Sequence, residues 1–223
     1  MTHSPSDADT EPRRFSPNAE GALWMLASVA GASAMTVIIR ILTPDIHSTM
    51  VAFLRASLAV FVVLPLLWRA RTPGRRLSFS AWPLHLVRGL LIAFALNAGF
   101  YAIWKLPMAT ATILFFMGPI YATIIAQVFL AERVGPRRWA AIGVGFLGAL
   151  VILRPGIEPI SLGIVMALLS SVAFSASLII GKDLSRRDSS DSVFVSSTVV
   201  VAFGALPPAL YNWELPVDAW QWA

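Results

Sequence analysis

The side chains of this chain that could do chemistry are few, and most of them interrupt apolar sequence. Arg55 is the sharpest case. It lies about three residues from the centre of the apolar run 48–68, and no Asp or Glu occurs inside any of the apolar runs to pair with it. In a membrane-spanning helix that offset is about 4–5 Å from the midplane, at a rise of about 1.5 Å per residue. An arginine at that depth costs at least about 2.5 kcal/mol on insertion scales, so it should face a cavity or a partner. One reading makes Arg55 a contact for an anionic or carboxylate-bearing substrate. The other has it snorkel to the outer interface or bond to carbonyls at a broken helix.

Arg88 lies toward one end of its run, at a depth from which it could reach Glu132, and the pair reads as a structural ion pair at an inner gate. Arg40 falls near the opposite interface. Close to the midplane, Ser28 and Ser33 in the first run mirror Ser170 and Ser175 in the sixth. Asn97, Tyr101 and Tyr121 add hydrogen-bonding groups, and Phe174 and Trp104 could stack on a ligand ring. Each serine alone reads as a packing residue, since small polar side chains let membrane helices approach closely; the set together suggests a central cavity. Gly118-Pro119 in mid-run frees a backbone carbonyl and reads as a kink that shapes the cavity wall or lets the helix bend. His85 reads as a headgroup-level residue.

These side chains need elements to hold them, and the composition says which. Hydrophobic residues make up 57% of the chain and charged residues 13%, about half the charge usual in a soluble domain. The apolar residues come in seven runs, at about 21–41, 48–68, 83–104, 109–130, 137–154, 161–181 and 192–212. Blocks near 20 residues match the hydrocarbon thickness of about 30 Å, so the expected fold class is all-α, a polytopic membrane helical bundle. Of the 17 lysines and arginines, twelve, Arg13 and Arg14 among them, fall on one side in the tail and alternate gaps, and only Lys105 and Arg154 lie on the other side. That asymmetry puts the N-terminus and the basic loops in the cytoplasm. The net charge of +5 therefore belongs to orientation in the membrane, and no nucleic-acid partner is expected. The chain has no cysteine, its three histidines are far apart, and neither HExxH nor a phosphate-binding P-loop occurs. No enzyme activity, metal site or cofactor is expected.

Residues 1–20 are polar and rich in Pro, Ser and Asp, and read as a disordered cytoplasmic tail. Beyond it the chain repeats itself. Shifted by 142 residues, Gly21–Trp68 falls on Gly163–Leu210 without a gap, with identities that include Gly21/Gly163, Ser28/Ser170, Ser33/Ser175 and Pro65/Pro207. Five runs separate the copies, and five is odd, so the second copy would enter from the opposite face. Inverted repeats of this kind are a transporter architecture. The expected organisation is a five-helix first repeat over 21–156 and a partial, two-helix second repeat over 159–223. By the same offset, the counterpart of Trp82 would fall one position past Ala223. In the fifth run Ala141, Gly145 and Ala149 recur every four residues, which reads first as packing within the chain and second as a homodimer contact.

The segments FLRASLAVFVVLPLL (53–67), ATATILFFMGPIYATIIAQVFLAERVGPRRWAAIGVGFLGALVILRPG (109–156) and GIVMALLSSVAFSASLII (163–180) resemble the drug/metabolite transporter superfamily, EamA type. The small-residue entry, mid-helix proline, ER turn, RRW and closing RPG carry most of the likeness. The resemblance implies a secondary transporter of ten helices in two inverted repeats. It would move a small metabolite, such as an amino acid, nucleoside, vitamin or S-adenosylmethionine-like molecule, across the inner membrane by alternating access. Because three family helices would then lie beyond this sequence, a truncated or partner-completed subunit without transport of its own is the alternative. A retinal protein or receptor would want a lysine in the last run, and a four-helix multidrug exporter a glutamate in the first; neither is present.

Overall fold

The computed structural model describes residues 17–42, 46–69, 77–130, 135–153 and 161–213. Their regular structure is helical throughout: α1 (Pro17–Leu42), α2 (Ser48–Arg69), α3 (Trp82–Lys105), α4 (Met108–Phe115), α5 (Gly118–Leu130), α6 (Pro136–Leu153), α7 (Leu162–Arg187) and α8 (Ser190–Tyr211). The fold is a polytopic helical bundle. Six stretches, with α4 and α5 counted as one, are long and apolar enough to cross a membrane among the described residues. The run expected at 137–154 forms α6, which is not among the six. The C-terminal end of that run lies partly outside the described residues, which leaves it uncounted there.

The chain divides into two compact units, Met1–Ile38 and Ile39–Ala223. In the first, α1 starts at Pro17, inside the stretch expected to be a disordered tail. Proline suits a first helical turn because its φ is already helical and its missing N–H would have no partner there. Glu20 in the first turn complements the positive end of the helix. Leu23, Trp24, Met25 and Leu26 of α1 are all exposed, as a lipid-facing helix requires.

In the second unit α3 is central. It packs against α7 and α8, while α2 lies along α8 and α4–α5 along α7. The interior holds many small side chains, among them Ala52, Ala56, Ala102, Ala167, Ala205 and Ala209, beside larger ones such as Met50, Phe100 and Leu114, whereas Phe61, Phe116, Phe129 and Phe203 are exposed. Between lipid-immersed helices apolar burial drives little, and close approach of backbones supplies the packing. The α3–α8 crossing shows this most clearly. A Cβ placed on Gly89 would lie 2.4 Å from Val200 Cβ, and one on Gly204 would lie 2.7 Å from Ala93 Cβ.

The run 109–130 was expected as one kinked helix and is two. Pro119 has no N–H to give the carbonyl four residues back. Phe116 N–H bonds to Thr112 O at 3.0 Å and Met117 N–H to Leu114 O at 3.2 Å, a tightened turn after which α5 begins. At the C-terminal end of α3, the Arg40 guanidinium donates to the carbonyls of Ile103, Trp104 and Leu106. A cation on the last carbonyls of a helix answers both their missing donors and the negative end of the dipole.

Candidate functional site

Polar chemistry in the second unit is concentrated along α3, α7 and α8. Where the N-terminal end of α3 meets the α7–α8 junction, Asp188 is buried and fully bonded. Ser78 Oγ donates to Asp188 Oδ1 at 2.6 Å, and Ser80 N–H donates to the same oxygen at 3.1 Å. His85 Nε2 stands 3.0 Å from Oδ2, and His85 Nδ1 stands 2.7 Å from Ser196 Oγ. Ser78 N–H reaches Ser192 Oγ at 2.9 Å, and Ser192 in turn bonds Ser189, the residue that caps α8. The Ser78 hydroxyl first, then the His85 ring and the Ser80 backbone, hold the Asp188 carboxyl well below the usual carboxylate range, against the opposing effect of burial. His85 is 3% exposed. The Asp188 carboxylate and Ser196 hold its ring away from solvent.

One turn further along α3, Arg88 is taken up by α7 and α8. Its guanidinium donates to Ser177 O at 3.3 Å, to Val193 O at 3.4 Å and to Ser197 Oγ. The space for it comes from Gly181, where a Cβ would lie 2.8 Å from Arg88 Nε. Among the described residues its partners are carbonyl and hydroxyl oxygens. Glu132, the expected partner, lies outside the described residues.

The serines of α7 work across helices as well. Ser170 Oγ donates to Ala95 O of α3 at 2.7 Å. Ser171 Oγ lies 3.0 Å from Leu114 O, and Ser175 Oγ 2.8 Å from Gly118 O. The two serines thus reach the backbone on either side of the α4–α5 break and tie both halves to α7. Asn97 of α3 donates Nδ2 to Ala93 O at 2.9 Å. Its Oδ1 is buried and accepts no hydrogen bond among the described residues. An unpaired buried amide oxygen costs free energy unless something supplies a donor.

The remaining candidates are dispersed. Arg55 is exposed on α2, and Ser28 is exposed on α1 in the other unit. Tyr101 packs edge-on to Trp104 at 5.8 Å, and Trp104 already carries Lys105 Nζ over its ring at 3.5 Å. Tyr121 is half-buried on α5, and Phe174 is 50% exposed on α7. Ser170 meets α3 at Ala95, whereas Asn97, two residues on, lies on another side of that helix, in line with Ala93. Pro119 lines a separate open cavity of about 720 Å³ bounded by α4, α5, α6 and α7. Sequence reasoning missed Asp188. The available signal was its position in SRRDSSDS, a basic gap that charge alternation puts on the same side as His85.

The EamA-like transporter family model matches residues 19–154. The chain is 32% identical over 194 residues to an S-adenosylmethionine uptake transporter of Rickettsia felis, covering 86% of this chain and 65% of that protein. It is 32% identical over 177 residues to a riboflavin transporter of Rhizobium johnstonii, covering 78% and 58%. To a pseudopaline exporter of Pseudomonas aeruginosa it is 27% identical over 191 residues, covering 85% and 66%. The chain therefore spans about two-thirds of the length of these curated relatives, or less.

Proposed function

This chain belongs to the EamA-like transporter family, and from that premise we propose that it is a secondary transporter carrying a small metabolite across the cytoplasmic membrane by alternating access. The observation that carries the reading to a site is Asn97. A membrane helix that keeps a buried, unsatisfied amide oxygen bears a cost that a bound ligand with an N–H or O–H donor would remove. The 142-residue offset supports an inverted pair of repeats. The excess of basic residues in alternate gaps supports a cytoplasmic N-terminus. Relatives named for S-adenosylmethionine, riboflavin and pseudopaline support a substrate that is small, polar and rich in hydrogen-bonding groups.

In this reading the Asp188 and Arg88 bonds, which tie α3 to α7 and α8 near the basic end of the bundle, are those that must break when the carrier opens to the cytoplasm. The test is uptake by proteoliposomes containing the protein, with labelled S-adenosylmethionine and riboflavin as probes and Asn97→Leu as the variant. The expected result is movement down a gradient without ATP, and a KM raised about tenfold or more by Asn97→Leu, the worth of one charge-free hydrogen bond in a dry site. Strict ATP dependence would refute the transport class. An unchanged KM in the variant would refute the site.

A further inference from the structure

The open cavity among α4, α5, α6 and α7 is separate from Asn97 and its neighbours, and its lining is divided by chemistry. Arg138, in the first turn of α6, and Lys182, near the end of α7, both line it, and they do so at the end where α5 leads into α6. Beyond them the wall is apolar: Ile113, Phe116, Ile120 and Ile179 supply bulk. Opposite, α6 presents Gly145 and Gly148, which leave the space unfilled. A Cβ on Gly148 would meet nothing within 4 Å. From Arg138 to Gly148 the groove follows ten residues of helix, about 15 Å, the reach of most of an acyl chain. Its volume, about 720 Å³, suits one chain and part of a headgroup.

We propose that this cavity is a binding site for an anionic phospholipid, its phosphate between Arg138 and Lys182 and one acyl chain along the groove toward Gly148. Charge complementarity chooses this occupant. A zwitterionic lipid would bring its own cation to a mouth that already holds two. A soluble anion would leave the apolar length empty. Two cations at the membrane surface are worth about 1 kcal/mol each toward an acidic headgroup, which is about thirty-fold in affinity. The positive-inside assignment would put the site in the cytoplasmic leaflet.

The test is native mass spectrometry of the detergent-solubilised protein titrated with phosphatidylglycerol or phosphatidylcholine of matched chains. The variants are Arg138→Gln/Lys182→Gln, the charge-keeping Arg138→Lys/Lys182→Arg, and Gly145→Leu, which fills the groove and spares the cations. Expected is retention of phosphatidylglycerol about thirty-fold tighter than phosphatidylcholine. The glutamine pair should abolish that preference, the charge-keeping pair should preserve it, and Gly145→Leu should weaken both lipids. Equal retention of the two lipids by the unaltered protein would overturn the proposal. So would an undiminished preference in the glutamine pair, or displacement of the lipid by inorganic phosphate alone. A dimer that Gly145→Leu dissociates without change in lipid retention would give the groove to a second copy instead. Should the glutamine pair fail to fold, the charge-keeping pair and Gly145→Leu still decide between these outcomes.

Discussion

Replacing Gly89 by alanine adds one carbon at the crossing of α3 and α8, and the geometry there gives its effect a sign that helix propensity alone would reverse. In an uncrowded helix Gly→Ala stabilises by about 1 kcal/mol. At Gly89 the new Cβ would lie 2.4 Å from Val200 Cβ and 2.5 Å from Val200 Cγ1, against a carbon–carbon optimum of about 3.5–4.0 Å. Turning the valine side chain moves Cγ1 but cannot move Cβ, which is fixed to the backbone. The helices must therefore separate by about 1 Å, an overpacking cost of about 1–3 kcal/mol. At about 2–4 °C per kcal/mol for a chain of this size, Gly89→Ala should lower the melting midpoint in detergent by several degrees. The identity of the rescuing residue is the sharper test. Val200→Ala retains the offending Cβ, so Gly89→Ala should still destabilise in that background. Val200→Gly removes it, and there Gly89→Ala should be neutral or stabilising. Equal rescue by Val200→Ala and Val200→Gly, or no loss from Gly89→Ala alone, would refute the close crossing.

Ser171→Ala and Ser175→Ala each remove a hydroxyl that links α7 to the backbone beside the α4–α5 break. Each should cost about 0.6–1.7 kcal/mol, read as a lower unfolding midpoint in a graded denaturation; a neutral double variant would refute the stitching role. Asp188 has a folded pKa below its ordinary value, so its stabilising contribution is complete above the unfolded value of about 4 and is lost as pH falls through the depressed folded value. Melting midpoints should therefore decline less steeply between about pH 5 and 3 in Asp188→Asn than in the unaltered protein, and equal slopes would remove Asp188 from the acid response. Gly181→Ala should destabilise by crowding Arg88 Nε and should be tolerated once Arg88 is shortened by Arg88→Ala; a cost that persists in the double variant would show that something other than the guanidinium fills the space.

The elements were largely legible in the sequence. Seven apolar runs became helical, because a bilayer offers backbone groups no other partner and a helix satisfies them within its own segment. Pro119 announced an interruption, and its local chemistry sufficed, since the missing N–H acts on its own helix. Less legible was the outcome. A proline in an apolar run is compatible with a kink or with two helices, and the tightened turn at Phe116–Met117 belongs with serines more than fifty positions away. Likewise Arg88 could be placed at a depth, but depth admits partners on several helices.

What the amino-acid sequence determined by itself is what depends on short-range chemistry: which segments are apolar enough to be helices, where proline breaks one, and how charge is distributed between the gaps. Only the tertiary structure decided which faces meet. Gly89 and Gly204 let α3 and α8 approach until Val200 and Ala93 touch the opposing helix. That approach is what brings His85 to Asp188 across 103 positions and turns Arg88 toward α7 and α8. No local pattern encodes such pairings, because in lipid the apolar faces are nearly equivalent as surfaces, and the choice among them rests on shape and on the few polar atoms that must find one another.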